Sequence, residues 1–138
     1  MKCRDVMTEN PIFCLAEDSV GQAARVMRRE RVGSVPVVTD DLKKELIGVI
    51  TDRDLAYKVV GESRDAIRTR VYDVMTATAA CRDDDDVITA LLAMEEHQVR
   101  GIPVMDHMGR LVGMISEGDI AVRMPPTMQL VRDLEQAA

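Results

Sequence analysis

Two hydroxyl–carboxylate pairs are the residues of this chain best suited to binding chemistry. Thr51 is followed three residues later by Asp54, and Ser116 is followed at the same spacing by Asp119. If each pair begins a helix, the free backbone N–H groups and the helix dipole there favour an anion. The hydroxyl can join these groups in binding phosphate, and the carboxylate can accept hydrogen bonds from hydroxyls of the same ligand. The spacing is therefore compatible with anion binding at two helix starts.

The same pairs also have a purely structural interpretation. A Ser or Thr followed three residues later by an acidic residue is the capping box that commonly begins a helix. For one such pair alone, capping is the preferred interpretation. The two roles are compatible, because the same side chains can cap the helix in the empty protein and bind a ligand in the occupied one.

An internal repeat accounts for most of the chain. Three blocks match without internal gaps: residues 5–8 with 73–76, 14–38 with 81–105, and 46–56 with 111–121. The first block is Asp-Val-Met-Thr in both copies. Thr51 and Ser116 hold the same position in the third block, so the two candidate sites are copies of each other.

Each copy predicts the same order of elements: strand, helix, strand, strand, helix. The first helices carry an apolar stripe at the i, i+3, i+4, i+7 spacing of one buried face. The stripe comprises Val20, Ala23, Ala24 and Met27 in the first copy and Val87, Ala90, Leu91 and Met94 in the second. The predicted strands are residues 11–15, 35–39 and 46–51, and then 79–82, 102–105 and 111–116. A second helix is expected directly after Thr51 and after Ser116.

The size of the repeat determines how the copies are arranged. A unit of about 55 residues with three short strands cannot bury enough apolar surface alone. We therefore predict an α+β fold in which the two repeats pack sheet to sheet with pseudo-twofold symmetry and form two related clefts. The predicted boundaries are repeat 1 at 1–62, a polar linker at 63–70, repeat 2 at 71–124 and a C-terminal helix or tail at 125–138.

Composition and charge exclude several classes of function. The chain of 138 residues is 46% hydrophobic and 30% charged, and its net charge of −6 disfavours nucleic acid as a partner. No apolar stretch reaches the roughly 18–20 residues of a membrane helix, and residues 1–5 lack the apolar run of a secretory signal. The cysteines have no metal-ligand spacing and fit a reducing compartment. We expect a cytoplasmic protein that binds neither nucleic acid nor membrane.

Several motifs of the repeat resemble the CBS domain. They are Val-Met-Thr before the first strand, Pro-Val in the second strand, and, at the junction of the third strand and the second helix, Gly-Val-Ile-Thr-Asp-Arg-Asp (48–54) or Gly-Met-Ile-Ser-Glu-Gly-Asp (113–119). The resemblance covers residues 3–124, and the chain looks like the two-CBS proteins of bacteria and archaea that carry no catalytic domain. It implies a regulatory module that requires no cofactor and pairs into a homodimeric disc. Its ligands would be AMP, ADP or ATP, or sometimes S-adenosylmethionine or NADH, bound in the clefts.

The resemblance also implies which residues line each cleft. In this family the hydroxyl–carboxylate pair binds phosphate and ribose, and two copies at matching places favour this role over simple capping. The acidic residue of one repeat faces the first strand and the pre-proline segment of the other. Site A is accordingly expected to comprise Thr51, Arg53, Asp54, Ala77, Ala79, Val99, Arg100, Ile102 and Pro103. Site B is expected to comprise Ser116, Asp119, Asn10, Pro11, Ile12, Val32, Gly33, Val35 and Pro36.

The two sites are predicted to differ in charge. Site A has Arg53 and Arg100 where site B has Gly118 and Gly33. Guanidinium groups suit phosphate, so site A is predicted to bind nucleotide more strongly. The alternative for both arginines is ordinary exposed surface charge.

The remaining reactive side chains have structural interpretations. The acidic run 83–86 is predicted to cap a helix and not to bind calcium. His97 and His107 are predicted to be surface residues and not metal ligands. Cys14 and Cys81 hold equivalent first-strand positions and could lie close together, as buried apolar residues or, alternatively, as a redox pair.

Three classes of function remain. The favoured one is a nucleotide-sensing regulatory module that acts through an unidentified protein partner. The alternative is a dimeric scaffold that has lost nucleotide binding, or a module that binds S-adenosylmethionine. An enzyme is disfavoured, because no catalytic acid–base pair or nucleophile set can be assembled from the sequence.

Overall fold

The computed structural model describes residues 1–123. The helix or tail predicted for 125–138 lies outside the described residues. Helices and strands follow the predicted order twice, so the α+β fold with two tandem repeats is confirmed. Each repeat is preceded by one turn of helix, which the sequence patterns do not predict.

The elements match closely between the two halves. The first half contains α1 (Cys3–Val6), β1 (Thr8–Glu9), β2 (Cys14–Leu15), α2 (Val20–Glu30), β3 (Ser34–Val38), β4 (Leu46–Thr51) and α3 (Asp52–Asp54), which continues as a π-helical segment over Leu55–Val60. The second half contains α4 (Val71–Val74), β5 (Cys81–Arg82), α5 (Val87–Glu96), β6 (Gly101–Met105), β7 (Leu111–Ser116) and α6 (Glu117–Arg123). The first strand of each repeat is shorter than predicted, because only two residues pair with the parallel neighbour.

Capping groups and apolar stripes form the first helix of each repeat. Ser19 begins α2: its Oγ accepts the Gln22 N–H at 3.2 Å, and its N–H donates to Gln22 Oε1 at 2.8 Å. Asp86 begins α5 by accepting the Ile88 N–H at 2.9 Å, which confirms capping by the acidic run. The buried positions are Val20, Ala23 and Met27 in α2 and Val87, Ala90 and Met94 in α5. Ala24 of the predicted stripe is instead exposed, because the buried face of α2 is narrower than predicted.

The leading segment of each repeat crosses to the sheet of the other repeat. One sheet has the order β2-β3-β4, and the other has the order β1-β7-β6-β5. In the second sheet, β1 from the first repeat pairs antiparallel with β7, and Thr8 lies opposite Met114. The equivalent contact of the other repeat joins Thr76 to Val49 of β4 through two backbone hydrogen bonds of 2.9 Å each. The repeats are therefore joined by exchanged backbone pairing as well as by the linker.

The exchange also completes the two hydrophobic cores. Cys3 and Val6 of α1 are buried in the core of the second repeat, next to the β5–β7 strands and α5. Val71 and Val74 of α4 are buried in the core of the first repeat. Neither repeat therefore closes its core with its own leading helix.

The cysteine arrangement differs from the prediction. Cys14 lies in the first core and Cys81 in the second, so these equivalent residues are not neighbours. The sulfur of Cys81 instead lies 3.6 Å from the sulfur of Cys3, which the exchange of α1 brings into the same core. All three cysteines are buried.

Crossing segments explain the glycine that recurs in the third strand of each repeat. A Cβ atom at Gly113 would lie 2.9 Å from the carbonyl oxygen of Thr8 and 2.5 Å from the sulfur of Met7. A Cβ at Gly48 would lie 2.9 Å from the carbonyl oxygen of Thr76. These contacts are closer than a carbon atom tolerates, so the exchanged segments require glycine at both positions.

Substitution of Gly113 tests whether this exchange supports the fold. We expect Gly113→Ala to lower the free energy of unfolding by about 1–3 kcal/mol, because the added methyl group forces β1 away from β7. Urea denaturation followed by circular dichroism measures the change.

Gly118→Ala is the matched control. A Cβ atom there meets only the hydroxyl oxygen of Ser116, at 3.7 Å, and Gly118 lies within α6. Alanine in a helix is favoured over glycine by about 1 kcal/mol, so this variant should be as stable as the wild type or more so. Equal stability of Gly113→Ala and Gly118→Ala would contradict the steric role of the crossing segment.

Candidate functional site

The hydroxyl–carboxylate pairs form capping boxes in both repeats. At the start of α3, Thr51 Oγ1 accepts the Asp54 N–H at 3.0 Å, and the Thr51 N–H donates to Asp54 Oδ2 at 3.0 Å. At the start of α6, Ser116 Oγ accepts the Asp119 N–H at 3.1 Å, and the Ser116 N–H donates to Asp119 Oδ2 at 3.0 Å. The structural role anticipated for these residues is therefore present, and it leaves one carboxylate oxygen of each pair for other partners.

The second carboxylate oxygen of Asp54 is held by two donors. The Thr76 hydroxyl donates to Asp54 Oδ1 at 2.8 Å, and the Lys58 ammonium lies 3.0 Å from the same oxygen. Asp54 is 5% exposed and is the only buried charged residue within the described range 1–123. Since Thr76 belongs to the second repeat, this carboxylate ties the two repeats together.

Hydrogen bonding keeps Asp54 ionised despite its burial. Burial alone raises the pKa of a carboxyl group. For Asp54 this effect is outweighed by the hydrogen bonds from Thr76, Lys58 and Thr51, which lower its pKa below the ordinary value. The site therefore holds a carboxylate at neutral pH.

Lys58 completes the network around Asp54. Its ammonium also donates to the Val74 carbonyl at 3.0 Å and to the Thr76 hydroxyl at 3.2 Å. Together with Asp54 Oδ1, these acceptors surround one cation. Lys58 therefore bridges α4 and the Asp54 carboxylate. A phosphate placed at the start of α3 would find this cation nearby.

The corresponding carboxylate in the second repeat has fewer partners. Asp119 is half-buried, and within residues 1–123 its side chain hydrogen-bonds only to Ser116. Arg123 occupies the position that matches Lys58, but its guanidinium donates to the Asp5 carbonyl at 3.0 Å. Thr8, which matches Thr76, makes no hydrogen bond to the Asp119 side chain among residues 1–123. The two clefts thus share a backbone plan and differ in side-chain bonding.

The crossing segments lie near both capping boxes. The Thr76–Asp54 bond places the site A carboxylate beside the residue that precedes the 77–80 segment. In site B, β1 runs directly into the 10–12 segment and is paired with β7, the strand that ends at Ser116. Contact of Asp54 with residues 77–80 and of Asp119 with residues 10–12 stays a prediction.

The pre-proline segments lie beside the pair of their own repeat. The Arg100 carbonyl accepts the Glu117 N–H at 2.9 Å, and Gly101 pairs with Ser116. In the same way, the Gly33 carbonyl accepts the Asp52 N–H at 2.8 Å. The predicted sets grouped Arg100 with Thr51 and Gly33 with Ser116, and that grouping across repeats stays a prediction.

Burial separates the predicted wall residues into two classes. Val35 and Ile102 are fully buried in the two cores, so only their backbone can face a ligand. Pro36 and Pro103, which follow them, are also buried. Val32 and Val99 precede the same strands and are 38% and 41% exposed. These two apolar side chains are therefore accessible from solvent.

Arg53, one of the two arginines predicted for site A, lies in α3. The Arg53 guanidinium lies over the ring of Tyr57, 5.5 Å from its centre. Tyr57 is 66% exposed, so the pair lies on the surface of the first repeat. Among the remaining predicted residues, Asn10 and Ala77 are exposed, whereas Pro11, Ile12 and Ala79 are half-buried.

Sequence reasoning missed Thr76 as a site residue and did not place Lys58. One signal for Thr76 was available, since its threonine is retained in both Asp-Val-Met-Thr blocks. For Lys58 the signal was its position four residues after Asp54, which places both side chains on one face of a helix.

The described part of the chain offers neither a cluster of metal ligands nor a membrane-spanning helix. Residues 1–123 contain no group of three or more His, Cys, Asp or Glu side chains that could hold a metal ion. His97 and His107 are exposed, as predicted. Over the same residues, no helix is both long enough and apolar enough to cross a membrane.

Relatives of the chain include small proteins of similar length and much longer enzymes. Hypoxic response protein 1 of Mycobacterium tuberculosis (strain CDC 1551 / Oshkosh) is 34% identical over 124 residues, which cover 88% of this chain and 84% of that protein. Inosine-5'-monophosphate dehydrogenase of Streptococcus pyogenes is 32% identical over 111 residues, which cover 80% of this chain and 22% of the enzyme. The chain thus spans about a fifth of the length of that enzyme.

Solved structures share the fold over nearly the whole chain. Hypoxic Response Protein I with two coordinated zinc ions superimposes with a TM-score of 0.82 at 30% identity, covering 91% of this chain and 100% of that one. CBSX2 in complex with AMP gives 0.73 at 26% identity, covering 95% and 98%. The CBS domain pair of MJ0100, in complex with 5-methylthioadenosine and S-adenosyl-L-methionine, gives 0.71 at 25% identity, covering 88% and 94%.

A family model gives the assignment directly. The model of the CBS domain matches the chain twice, at residues 3–61 and 71–125. Both matches contain a complete strand–helix–strand–strand–helix unit of the structure. The chain therefore belongs to the CBS domain family, as a tandem pair of CBS domains.

Proposed function

We propose that this CBS pair is a cytoplasmic regulatory module that binds an adenine nucleotide of the AMP, ADP or ATP type between its repeats. It requires no cofactor, catalyses no reaction and acts through a protein partner. The observation that carries the proposal is the buried, ionised carboxylate of Asp54 at the junction of the repeats. Similar CBS pairs bind AMP, 5-methylthioadenosine or S-adenosylmethionine, and all three ligands contain adenosine.

The bonding of Asp54 supports recognition of a ribose. Its Oδ1 atom accepts from two donors, the Thr76 hydroxyl and the Lys58 ammonium. The two hydroxyls of a ribose can replace these donors one for one, since a carboxylate oxygen has two acceptor positions. Lys58 is then released towards the phosphate of the same nucleotide, where Arg53 adds a second cation. The exposed Val99 offers apolar surface for the adenine ring in site A, and Val32 offers the same in site B.

The sites differ in what a ligand must displace and in what it gains. In site A the nucleotide competes with Thr76, whereas in site B the Asp119 carboxylate has one oxygen without a protein donor within residues 1–123. Site A compensates with Lys58 and Arg53 close to the capping box. Because hydrogen bonds to charged groups are stronger than neutral ones, we propose that site A is the stronger site.

Removal of the Asp54 carboxylate tests the assignment of site A. We expect Asp54→Ala to weaken binding of the preferred adenine nucleotide by about 1.5–3 kcal/mol, roughly ten- to a hundredfold, because both ribose hydroxyls lose their acceptor. Asp119→Ala, the matched variant in site B, should cause a smaller loss. Isothermal titration calorimetry measures both, and unchanged affinity of Asp54→Ala would show that the nucleotide does not bind through Asp54.

Removal of the Thr76 hydroxyl tests the competition directly. We expect Thr76→Val to bind nucleotide roughly two- to tenfold more tightly than the wild type, because the ligand no longer displaces a protein hydroxyl from Asp54. Thr76→Ser keeps the hydroxyl and should bind like the wild type. Weaker binding by Thr76→Val would show that the hydroxyl contacts the ligand and does not compete with it.

Competition at Asp54 also explains how ligand binding could change the arrangement of the repeats that a partner protein recognises. Thr76 lies in the segment that crosses from the second repeat to β4. A nucleotide that replaces the Thr76 hydroxyl therefore weakens one contact between the repeats. A ligand shifts a conformational equilibrium by the difference in its affinity for the two arrangements, and here that difference includes the Thr76–Asp54 bond.

We propose that the module is a homodimer. Large apolar side chains remain exposed on three helical elements: Val60 is 76% exposed, Leu92 is 60% exposed and Val122 is 83% exposed. Exposed apolar surface of this kind commonly marks an interface. Light scattering at micromolar concentration should give about twice the chain mass of 15.3 kDa, and a monomeric mass would contradict the proposal.

One screen separates the alternatives for the ligand. A ligand that binds only the folded protein raises its stability, by about 2.7 kcal/mol at a hundredfold excess over the dissociation constant. A thermal-shift screen with AMP, ADP, ATP and S-adenosylmethionine therefore distinguishes a nucleotide sensor from a module for S-adenosylmethionine. Absence of any shift favours a scaffold that does not bind nucleotides.

A further inference from the structure

A pair of buried thiols lies outside the nucleotide clefts. Cys3 in α1 is 0% exposed, and Cys81 at the start of β5 is 2% exposed. The Cys81 thiol donates to the Cys3 sulfur, and the two sulfur atoms are 3.6 Å apart. The residues are 78 positions apart in the chain, so only the crossing of α1 into the second core brings them together.

We propose that Cys3 and Cys81 are a modification site at which a hydroperoxide forms an intramolecular disulfide, locking the leading segment of the first repeat onto the second. A disulfide has a sulfur–sulfur bond of about 2.0 Å. The thiols are already in contact, so small rotations of the two side chains and a slight movement of α1 bring the sulfurs to bonding distance. This inference does not depend on nucleotide binding.

The contact between the sulfurs assigns their roles in the reaction. The hydrogen bond from Cys81 lowers the pKa of the Cys3 thiol, while burial and the nearby Asp85 carboxylate oppose this effect. The pKa of Cys81 is raised because it is the donor of that bond and is buried. Because the Cys3 sulfur accepts the hydrogen bond and Cys81 donates it, we assign Cys3 as the attacking sulfur, and Cys81 keeps its proton until the second step.

The atoms and electrons balance with one molecule of hydrogen peroxide. The Cys3 thiolate attacks one peroxide oxygen, the O–O bond breaks, and hydroxide leaves with the proton lost by Cys3 as water. Cys3 is then a sulfenic acid. The Cys81 sulfur attacks the Cys3 sulfur, and the Cys81 proton leaves with the hydroxyl group as a second water. Two thiols are oxidised by two electrons, and one peroxide is reduced to two waters.

The oxidant reaches the buried thiols by local opening of α1. This helix has four residues and is held to the 83–87 segment by backbone bonds such as Cys3 N–H to the Asp85 carbonyl, 2.8 Å. Short elements of this kind open more readily than the core they cover. Once formed, the disulfide prevents this opening and retains β1 on β7, the strand that ends at Ser116.

The first core supplies an internal control. Cys14 is the counterpart of Cys81, but Val71 occupies the place that matches Cys3. Burial raises the pKa of the Cys14 thiol to about 11. Cys14 should therefore stay reduced under conditions that oxidise the Cys3–Cys81 pair.

The experiment treats the folded full chain with hydrogen peroxide and analyses tryptic peptides by mass spectrometry without a reductant. We expect one linked pair of peptides containing Cys3 and Cys81, with Cys14 free, and loss of the link after treatment with dithiothreitol. The oxidised protein should have a midpoint of thermal unfolding roughly 5–10 °C higher, since the link closes a long loop. The Cys14→Ala variant should form the same Cys3–Cys81 link.

Several results would overturn the proposal. They are oxidation of Cys3 to sulfinic acid while Cys81 stays free, a link that involves Cys14 or a second chain, and a Cys3–Cys81 link that forms only in denaturant. A lower thermal midpoint of the linked protein would also count against it, because it would show that the disulfide strains the core. The wild-type chain decides each point, so the test does not depend on a cysteine variant that folds poorly.

Discussion

Exchange of the two leading segments is the contact on which the rest of the structure depends. Each repeat supplies one turn of helix to the core of the other: α1 closes the second core, and α4 closes the first. Backbone pairing at Thr8 and Thr76 anchors the segments to β7 and β4. A unit of about 55 residues buries too little apolar surface to be stable alone, and the exchange makes the two repeats fold as one.

The same exchange makes a buried charge tolerable. Burying a carboxylate is unfavourable unless it is hydrogen-bonded or paired. Asp54 meets this condition through the Thr51 N–H and Lys58 of its own repeat, and the crossing segment adds the Thr76 hydroxyl and the Val74 carbonyl, which orients Lys58. A group suited to hold a ribose is thus also a structural tie between repeats. Under the proposed function, that double use couples ligand binding to the arrangement of the domains.

Duplication has preserved the backbone more strictly than the side chains. The capping boxes, the close glycine contacts and the strand registers match in the two repeats. The carboxylate partners do not match, since Asp54 binds Thr76 whereas Asp119 binds only Ser116 within the described residues. The sulfur pair likewise exists in one core alone. Two geometrically equivalent clefts can therefore differ in ligand preference, and two equivalent cores can differ in redox chemistry.

The sequence by itself determined the repeat, the order of its elements, the helix starts and the family. These features are visible as short patterns of residues a few positions apart, which recur in the two halves of the chain. Thr51 and Asp54 cap a helix through spacing alone. Tertiary structure decided the rest. The pairing of Cys81 with Cys3, and of Thr76 with Asp54, joins residues 78 and 22 positions apart. Such contacts depend on which core each leading helix enters. The apolar stripe of a four-residue helix is compatible with either core, and only packing of the whole chain selects between them.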